Sequence, residues 1–231
     1  MEILEWAYDN GFFLHSDDIC IATAENGHLE IIKWAYDHGC LLNEEICIKA
    51  IKHGHLEILK WAYEHGCSLN EQICITATVN GHLEILKWAY EHGCSLNEQI
   101  CKIAAQNGHL EILKWAYEHG CSLNEQICKM AAKNGHLEIL KWAYEYDCHF
   151  DVDEIYISAI ENGYFEIIKW VYENGHPMNT DLCLQIAVRE YLYIIGIKND
   201  HYWNEKQNAH FCKRDRFAEI IHWIHAHSCR Y

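Results

Sequence analysis

Apolar and polar residues follow a helical period along most of the chain. In the segment that begins at Leu56, apolar side chains cover most of the circumference of a predicted helix and leave one narrow polar stripe. A helix of this kind packs against neighbours on several sides. We expect Lys60 and Glu64 in the stripe to form an i,i+4 ion pair, and Gly66 to end the helix in a left-handed conformation. We call this segment and its copies the tryptophan helices, because almost every copy carries a tryptophan.

A second predicted helix follows each tryptophan helix. Asn70 is a suitable N-cap, and Glu71 favours the positive end of the helix dipole. Ile73, Cys74 and Ala77 form its inner face. An Asn-Gly pair then ends the helix and turns the chain into the next tryptophan helix. We call this segment and its copies the cysteine helices, because most carry a cysteine at the same place.

This two-helix pattern returns at a nearly fixed interval. The tryptophans mark it with a spacing of 27 residues, and the first and last steps have a spacing of 28: Trp6, Trp34, Trp61, Trp88, Trp115, Trp142 and Trp170. A period of roughly 20–50 residues is typical of a solenoid, in which each repeat contacts only its neighbours. The sequence therefore predicts an all-α solenoid of about eight two-helix repeats.

The same pattern predicts the domain organisation. We expect residues 1–231 to form a single domain, because a solenoid is one domain of any length. Residues 1–26 form an N-terminal partial repeat, residues 27–189 form the regular repeats, and residues 190–231 form a degenerate repeat and a cap. Within that last segment Trp223 restores the repeat pattern.

The repeats resemble a known family. The stretch ICKIAAQNGHLEILKWAYEHGCSLN is similar to the second two-thirds of an ankyrin repeat, in its alanine pair, its Gly-His-Leu-Glu segment and its ending. Ankyrin repeats run to about 33 residues, whereas these have 27 and lack the Thr-Pro-Leu-His segment and the β-hairpin; the only proline is Pro177. Such short arrays resemble repeat proteins encoded by giant DNA viruses. The resemblance implies a scaffold that binds proteins and has no catalysis of its own.

Charge narrows the class of partner. The formal net charge is -16, and an acidic surface repels phosphate, so we expect no nucleic-acid partner. A basic or mixed protein surface fits better, although the acidic charge also serves solubility alone. No stretch of about 18 apolar residues occurs, so we expect no membrane span.

The cysteines and the start of the chain favour an intracellular location. The 13 cysteines are an odd number, which argues against a disulfide-rich secreted protein. Charged residues interrupt the apolar run after Met1, so no signal peptide is visible. We therefore expect a reducing intracellular compartment. The expected location is the cytoplasm, including that of a host cell, or a virion.

The repeated cysteines form two columns, one in the cysteine helices and one just after the tryptophan helices. The columns are Cys20, Cys47, Cys74, Cys101 and Cys128, and Cys40, Cys67, Cys94, Cys121 and Cys148. Residues at the same place in stacked helices lie about 8–10 Å apart. That is too far for a shared zinc ion or for a disulfide, which needs Cα atoms within about 7 Å. We therefore expect small packing residues and no metal.

A histidine column stands at the turn before each tryptophan helix: His28, His55, His82, His109 and His136. We expect each to brace its turn with a hydrogen bond. The alternative is a pH switch, because histidines that charge together below about pH 6.5 would offset the acidic charge.

Nothing in the repeat indicates catalysis. The tryptophans recur at helical spacing, which favours a core between repeats over a ligand platform. No activated nucleophile, glycine-rich phosphate loop or pair of carboxylates breaks the repeat. We therefore expect no enzyme activity, no catalytic residue and no cofactor.

The near-identical repeats differ at three positions of the cysteine helix, all off its inner face. Positions i, i+1 and i+4 form one stripe on a helix, and stacked stripes form the concave face with which such solenoids bind. Several of these residues are apolar at positions expected to be exposed, and lysines gather beside them; the alternative is drift on an unconstrained face. The candidate partner-binding residues are Ile48, Lys49, Lys52, Ile75, Thr76, Val79, Lys102, Ile103, Gln106, Lys129, Met130 and Lys133.

Two functions follow from the pattern. The first is a protein–protein interaction scaffold that presents this face to a protein partner, one form of which is a viral adaptor that binds a host protein. The second is a structural or virion component that self-associates through its N-terminal end, where Ile3, Leu4 and Trp6 have no preceding helix.

Overall fold

The computed structural model describes residues 2–11, 17–196 and 207–228. Fifteen helices joined by short turns make up these three ranges, which contain no strand. The all-α prediction is confirmed. Parts of the predicted C-terminal cap, residues 197–206 and 229–231, lie outside the described residues.

The helices alternate between the two predicted types. The tryptophan helices are α1 (Glu2–Asp9), α3 (Leu29–Asp37), α5 (Leu56–Glu64), α7 (Leu83–Glu91), α9 (Leu110–Glu118), α11 (Leu137–Glu145) and α13 (Phe165–Glu173). The cysteine helices and their counterparts are α2 (Asp17–Glu25), α4 (Glu44–Lys52), α6 (Glu71–Val79), α8 (Glu98–Asn107), α10 (Glu125–Asn134), α12 (Val152–Asn162) and α14 (Thr180–Gly196). The last helix, α15 (Gln207–Ser228), takes the position of a tryptophan helix.

Contacts divide the chain into two compact units. The first comprises residues 1–104 and 111–121, and the second comprises residues 105–110 and 122–231. Cysteine helices pack side by side in each, α2 with α4 and α4 with α6 in the first unit, and α10 with α12 and α12 with α14 in the second. The single domain over the whole chain stays a prediction.

Both ends of the cysteine helices form as the sequence predicts. The Asn70 side chain accepts a hydrogen bond from the Ile73 N–H at 3.2 Å and caps α6. It also donates to the Glu44 carboxylate at 2.6 Å, which ties its loop to the cysteine helix of the preceding repeat. At the other end, Gly81 adopts a left-handed φ of +76°, and Gly66 does the same after the tryptophan helix α5, with a φ of +95°.

The core lies between the two helices of each repeat and between neighbouring repeats. Ile46 of α4 and Leu59 of α5 are fully buried, and burial of such a side chain contributes about 1.5–3 kcal/mol. Ala50 and Ala62 are also fully buried. Because alanine is small, the helices approach closely at these positions.

The histidine column joins neighbouring repeats. The His55 ring donates from Nε2 to the Glu25 carbonyl at 3.0 Å, and the His82 ring reaches the Lys52 carbonyl at 3.1 Å in the same way. In the second compact unit His136 lies 3.0 Å from the carbonyl of Gln106. The predicted hydrogen bond therefore exists, but it reaches back to the preceding repeat instead of bracing its own turn.

These histidine rings lie directly on glycines of the preceding repeat. A Cβ added to Gly27 would lie 2.6 Å from the His55 ring, and one added to Gly54 would lie 2.9 Å from the His82 ring. Both glycines have left-handed φ values of about +80°. Glycine is therefore required twice at this position, by the turn and by the ring that covers it.

The tryptophans form a second contact between repeats. The edge of Tyr36 meets Trp61 at 5.4 Å, while His65 lies against Trp61 at 4.3 Å and bonds the Trp61 carbonyl through Nδ1 at 2.8 Å. Aromatic pairs of this geometry contribute about 0.5–1.5 kcal/mol beyond their burial. The same arrangement recurs at Tyr63, Trp88 and His92, at Tyr90, Trp115 and His119, and, in the second compact unit, at Tyr172, Trp223 and His227.

We predict that Gly54→Ala destabilises the protein more than Gly66→Ala does. Both glycines are left-handed, so each substitution costs about 1–2 kcal/mol of backbone strain, but only at Gly54 would the new methyl group meet the His82 ring. Urea unfolding of both variants measures the difference. Equal losses of stability would contradict the role of the ring contact, and His82→Ala in the Gly54→Ala background should remove the extra loss.

We predict that Asn70→Ala lowers the free energy of unfolding by about 1 kcal/mol, because it removes the cap of α6. Asn70→Ser keeps an oxygen acceptor at the cap and should retain most of the stability. Thermal unfolding followed by circular dichroism compares the two variants. If serine were as destabilising as alanine, the bond to Glu44 and not the cap would carry the effect.

Candidate partner-binding surface

The structure places the predicted partner-binding residues on four cysteine helices. In the first compact unit, the residues are Ile48, Lys49 and Lys52 on α4, Ile75, Thr76 and Val79 on α6, and Lys102 and Ile103 on α8. In the second they are Gln106, at the end of α8, and Lys129, Met130 and Lys133 on α10. Because α4 packs beside α6, their residues form one patch in the first unit.

Eleven of these twelve residues are exposed or half-buried. Val79 is 43% exposed, and four polar residues are also exposed: Lys52, Lys102, Gln106 and Lys133. Four apolar residues are half-buried: Ile48, Ile75, Ile103 and Met130. The surface therefore consists of charged side chains beside partly accessible apolar ones, a composition that suits a protein interface.

Thr76 departs from the prediction. The sequence places it on the exposed stripe, but its side chain is only 9% exposed. Gln72 donates to its hydroxyl at 3.3 Å, and Asn80 donates to its carbonyl at 2.8 Å. Thr76 therefore lies on the packed side of α6 and is far less accessible than Val79.

Ion pairs occupy some of the lysines of this surface. Lys49 lies 3.5 Å from Glu25, which His53 also approaches to 3.3 Å. In the second compact unit, Lys129 forms an ion pair with Glu154. Lys52, Lys102 and Lys133 are exposed, so they provide the more accessible positive charge of the surface.

The polar stripe of the tryptophan helices is a different surface. Lys60 bonds Glu57 at 2.8 Å, so the predicted pair with Glu64 is wrong. A helical side chain points back toward the N-terminus of its helix, which brings Lys60 over Glu57. The same i,i+3 pair recurs at Lys33, Lys87, Lys114, Lys141 and Lys169. This stripe is nearly constant from repeat to repeat, unlike the surface of the cysteine helices, and it carries two acidic residues for each lysine.

The cysteines of the cysteine helices are buried, those of the loops are buried or half-buried, and members of the two columns are paired. Disulfides join Cys20 to Cys40, Cys47 to Cys67 and Cys74 to Cys94, each across a separation of 20 residues. Their Cα atoms lie 6.9–7.5 Å apart. The prediction considered only pairs within one column, whereas the structure pairs one column with the other. The constant offset of 20 residues is the sequence signal that could have found them.

Across residues 2–11, 17–196 and 207–228, no group of three or more His, Cys, Asp or Glu side chains could hold a metal ion. None of the described helices is both long and apolar enough to cross a membrane. A polar cavity of about 400 Å³ lies in the first compact unit over the loops that contain Asn70 and Cys94.

Comparison with known proteins agrees with this geometry. The family model for ankyrin repeats in three copies matches residues 19–100 and again residues 101–182. The crystal structure of the human ASB11 ankyrin repeat domain superimposes with a TM-score of 0.57 at 16% sequence identity, over 69% of this chain and 85% of that domain. Comparison with curated proteins gives no match.

The solved domain shows the fold, and the family model covers most of the sequence. The resemblance read from the Gly-His-Leu-Glu segments is thereby confirmed, with repeats of 27 residues and without hairpins in the described part of the chain. The chain belongs to the ankyrin-repeat family.

Proposed function

We propose that this protein is an interaction scaffold that binds a protein partner through the variable face of its cysteine helices. Ankyrin repeats mediate protein–protein interaction, and the observation that carries the proposal is the distribution of variation. Repeats that are otherwise nearly identical differ where α4, α6, α8 and α10 present side chains to solvent. One buried position of these helices also varies, as Ile51, Thr78, Ala105 and Ala132. The other variable positions lie largely at the surface, where a partner selects residues.

The face also has a chemistry that a partner can match. Half-buried apolar side chains such as Ile75 and Ile103 lie on the same helices as the exposed Val79 and Lys102. A partner surface with carboxylates beside apolar side chains complements this combination. A viral adaptor that binds a host protein is one form of this function, and the identity of the bound protein distinguishes it from others.

We predict that reversing three charges on this face weakens partner binding at least about 10-fold, since several charge pairs across an interface are lost together. The variant carries Lys52→Glu, Lys102→Glu and Lys133→Glu. The matched control carries Lys60→Glu, Lys87→Glu and Lys114→Glu, which changes the net charge equally but on the tryptophan helices. Affinity capture identifies the proteins that bind, and titration with the purified partner measures the change.

The control variant distinguishes a loss of binding at the proposed face from an effect of net charge alone. The face variant alters exposed lysines, and the control alters half-buried ones that pair with a glutamate three residues earlier. Replacing such a pair by two like charges costs about 0.4–1 kcal/mol, so both variants should fold, as circular dichroism checks. Equal weakening by the two variants, or no weakening by either, would contradict the proposed face.

The self-association alternative has one observation in its favour. No residue of α1 is buried, and Ile3 is 82% exposed. If this end joins copies of the chain, sedimentation should show a mass that rises with concentration and that Ile3→Glu reduces to the monomer. Leu41→Glu is the matched control, because Leu41 is similarly exposed, at 77%, but lies in a loop. A monomer at all concentrations would exclude this alternative.

A further inference from the structure

Five cysteine pairs connect each cysteine helix to the loop after the tryptophan helix of the same repeat. The first compact unit holds Cys20–Cys40, Cys47–Cys67, Cys74–Cys94 and Cys101–Cys121, and the second holds Cys128–Cys148. They use ten of the 13 cysteines. Five repeats of one arrangement make accidental proximity a poor explanation.

The same place in the fold holds both oxidation states. The first three pairs are disulfides. In the last two, the Cys101 thiol donates a hydrogen bond to Cys121, and the Cys128 thiol donates to Cys148 at 3.3 Å. The surrounding helices have nearly the same sequence in all five repeats, so the repeat accommodates a disulfide or a dithiol.

The two sulfurs of a pair differ in access. The helix cysteines Cys47, Cys74 and Cys101 are at most 1% exposed. Their loop partners Cys67, Cys94 and Cys121 are half-buried. In the other two pairs the loop cysteines Cys40 and Cys148 are each 8% exposed, against 1% and 0% for Cys20 and Cys128. Cys94 also lines the polar cavity of about 400 Å³. A small molecule therefore reaches the loop sulfur before the helix sulfur.

The hydrogen bonds favour the same order of reaction. A thiol that accepts a hydrogen bond is stabilised as the thiolate, which is the reactive form. The bond from Cys101 holds the pKa of Cys121 below its ordinary value, and the bond from Cys128 does so for Cys148. The bond to Cys121, together with burial, raises the pKa of Cys101.

The sixth repeat shows what the pair does for the fold. Tyr156 stands at the helix position and His176 at the loop position, again 20 residues apart. The Tyr156 hydroxyl donates to the His176 carbonyl at 2.9 Å. A hydrogen bond thus connects the equivalent helix and loop of the sixth repeat. Because the connection is kept with different chemistry, we conclude that the connection itself is needed. Only in the first five repeats does its strength respond to oxidation.

We propose that the five cysteine pairs are exchangeable dithiol–disulfide sites that react with small disulfides of the glutathione class, and that oxidation locks each loop onto its cysteine helix. The loop thiolate attacks the small disulfide, forms a mixed disulfide and releases one small thiol. The helix thiol then loses its proton and attacks the loop sulfur, which releases the second small thiol. The pair loses two electrons and two protons in total, and the small disulfide gains them.

Oxidation in one repeat also acts on the next. Cys67 lies three residues before Asn70, which caps α6 and bonds Glu44. A disulfide to Cys47 holds this loop and therefore the start of the following cysteine helix. The redox state of the pairs thus sets how firmly successive repeats are held together.

The test uses the full chain without substitution. The protein is reduced, returned to native buffer and equilibrated in mixtures of reduced and oxidised glutathione, and each cysteine is then scored by alkylation and mass spectrometry. We expect the ten cysteines to become protected pair by pair and to be released again by reduced glutathione. We also expect the melting temperature to be about 10 °C or more higher in the oxidised form, because several loops are closed.

Cys183 provides the control for burial alone. It is buried in α14, and burial raises the pKa of its thiol to about 12, so it should stay reduced in every mixture. In Cys67→Ser, only Cys47 should lose its oxidation, while the other four pairs behave as in the unaltered protein.

Three results would overturn the proposal. The first is that the pairs as a group fail to oxidise. The second is that they stop at mixed disulfides with glutathione. The third is that the disulfides resist reduced glutathione until the protein unfolds. The third result would make them fixed cross-links instead of exchangeable sites.

Discussion

The contact between a histidine ring and a left-handed glycine of the preceding repeat decides how the repeats join. A side chain on Gly27 or Gly54 would collide with the ring that covers it, and the same ring donates a hydrogen bond to the end of the preceding cysteine helix. Turn, packing and hydrogen bond therefore depend on one residue pair. In the second compact unit the Tyr164 ring covers Gly135 in the same way, so a flat ring is required there and not histidine itself.

The aromatic contacts explain why the tryptophan helices hardly change. Tyr36 meets Trp61 and His65 of the next tryptophan helix, and Tyr63 and Tyr90 make the same contacts with the helices that follow them. A residue in such an array has to fit the copies on both sides, so a change in one repeat disturbs two contacts. The exposed positions of the cysteine helices do not have to fit neighbouring copies in this way. They are free to differ, which is what a scaffold needs if a rigid array is to recognise a particular partner.

The cysteine pairs add a chemical element to this rigid array. Each connects the two ends of a repeat, and the sixth repeat replaces it with the bond from Tyr156 to the His176 carbonyl. The hydrogen bond and the disulfide have the same position but not the same strength, and only the disulfide depends on the redox conditions. In the redox proposal, oxidation of a cysteine pair therefore controls how rigidly its loop is held. It thereby controls how the following cysteine helix is positioned.

Sequence by itself determined the helices, their boundaries and the repeat, because helical periodicity, the cap at Asn70 and the left-handed Gly66 are local properties. It also located the variable face, since equivalent positions of near-identical repeats can be compared within one chain. Tertiary structure alone decided which side chains meet. Thr76 is buried, Lys60 forms its ion pair with Glu57, and each paired helix cysteine lies beside the loop cysteine of its own repeat. Such pairings depend on side-chain direction and on the distance between helices in space, and a spacing along the chain does not specify either.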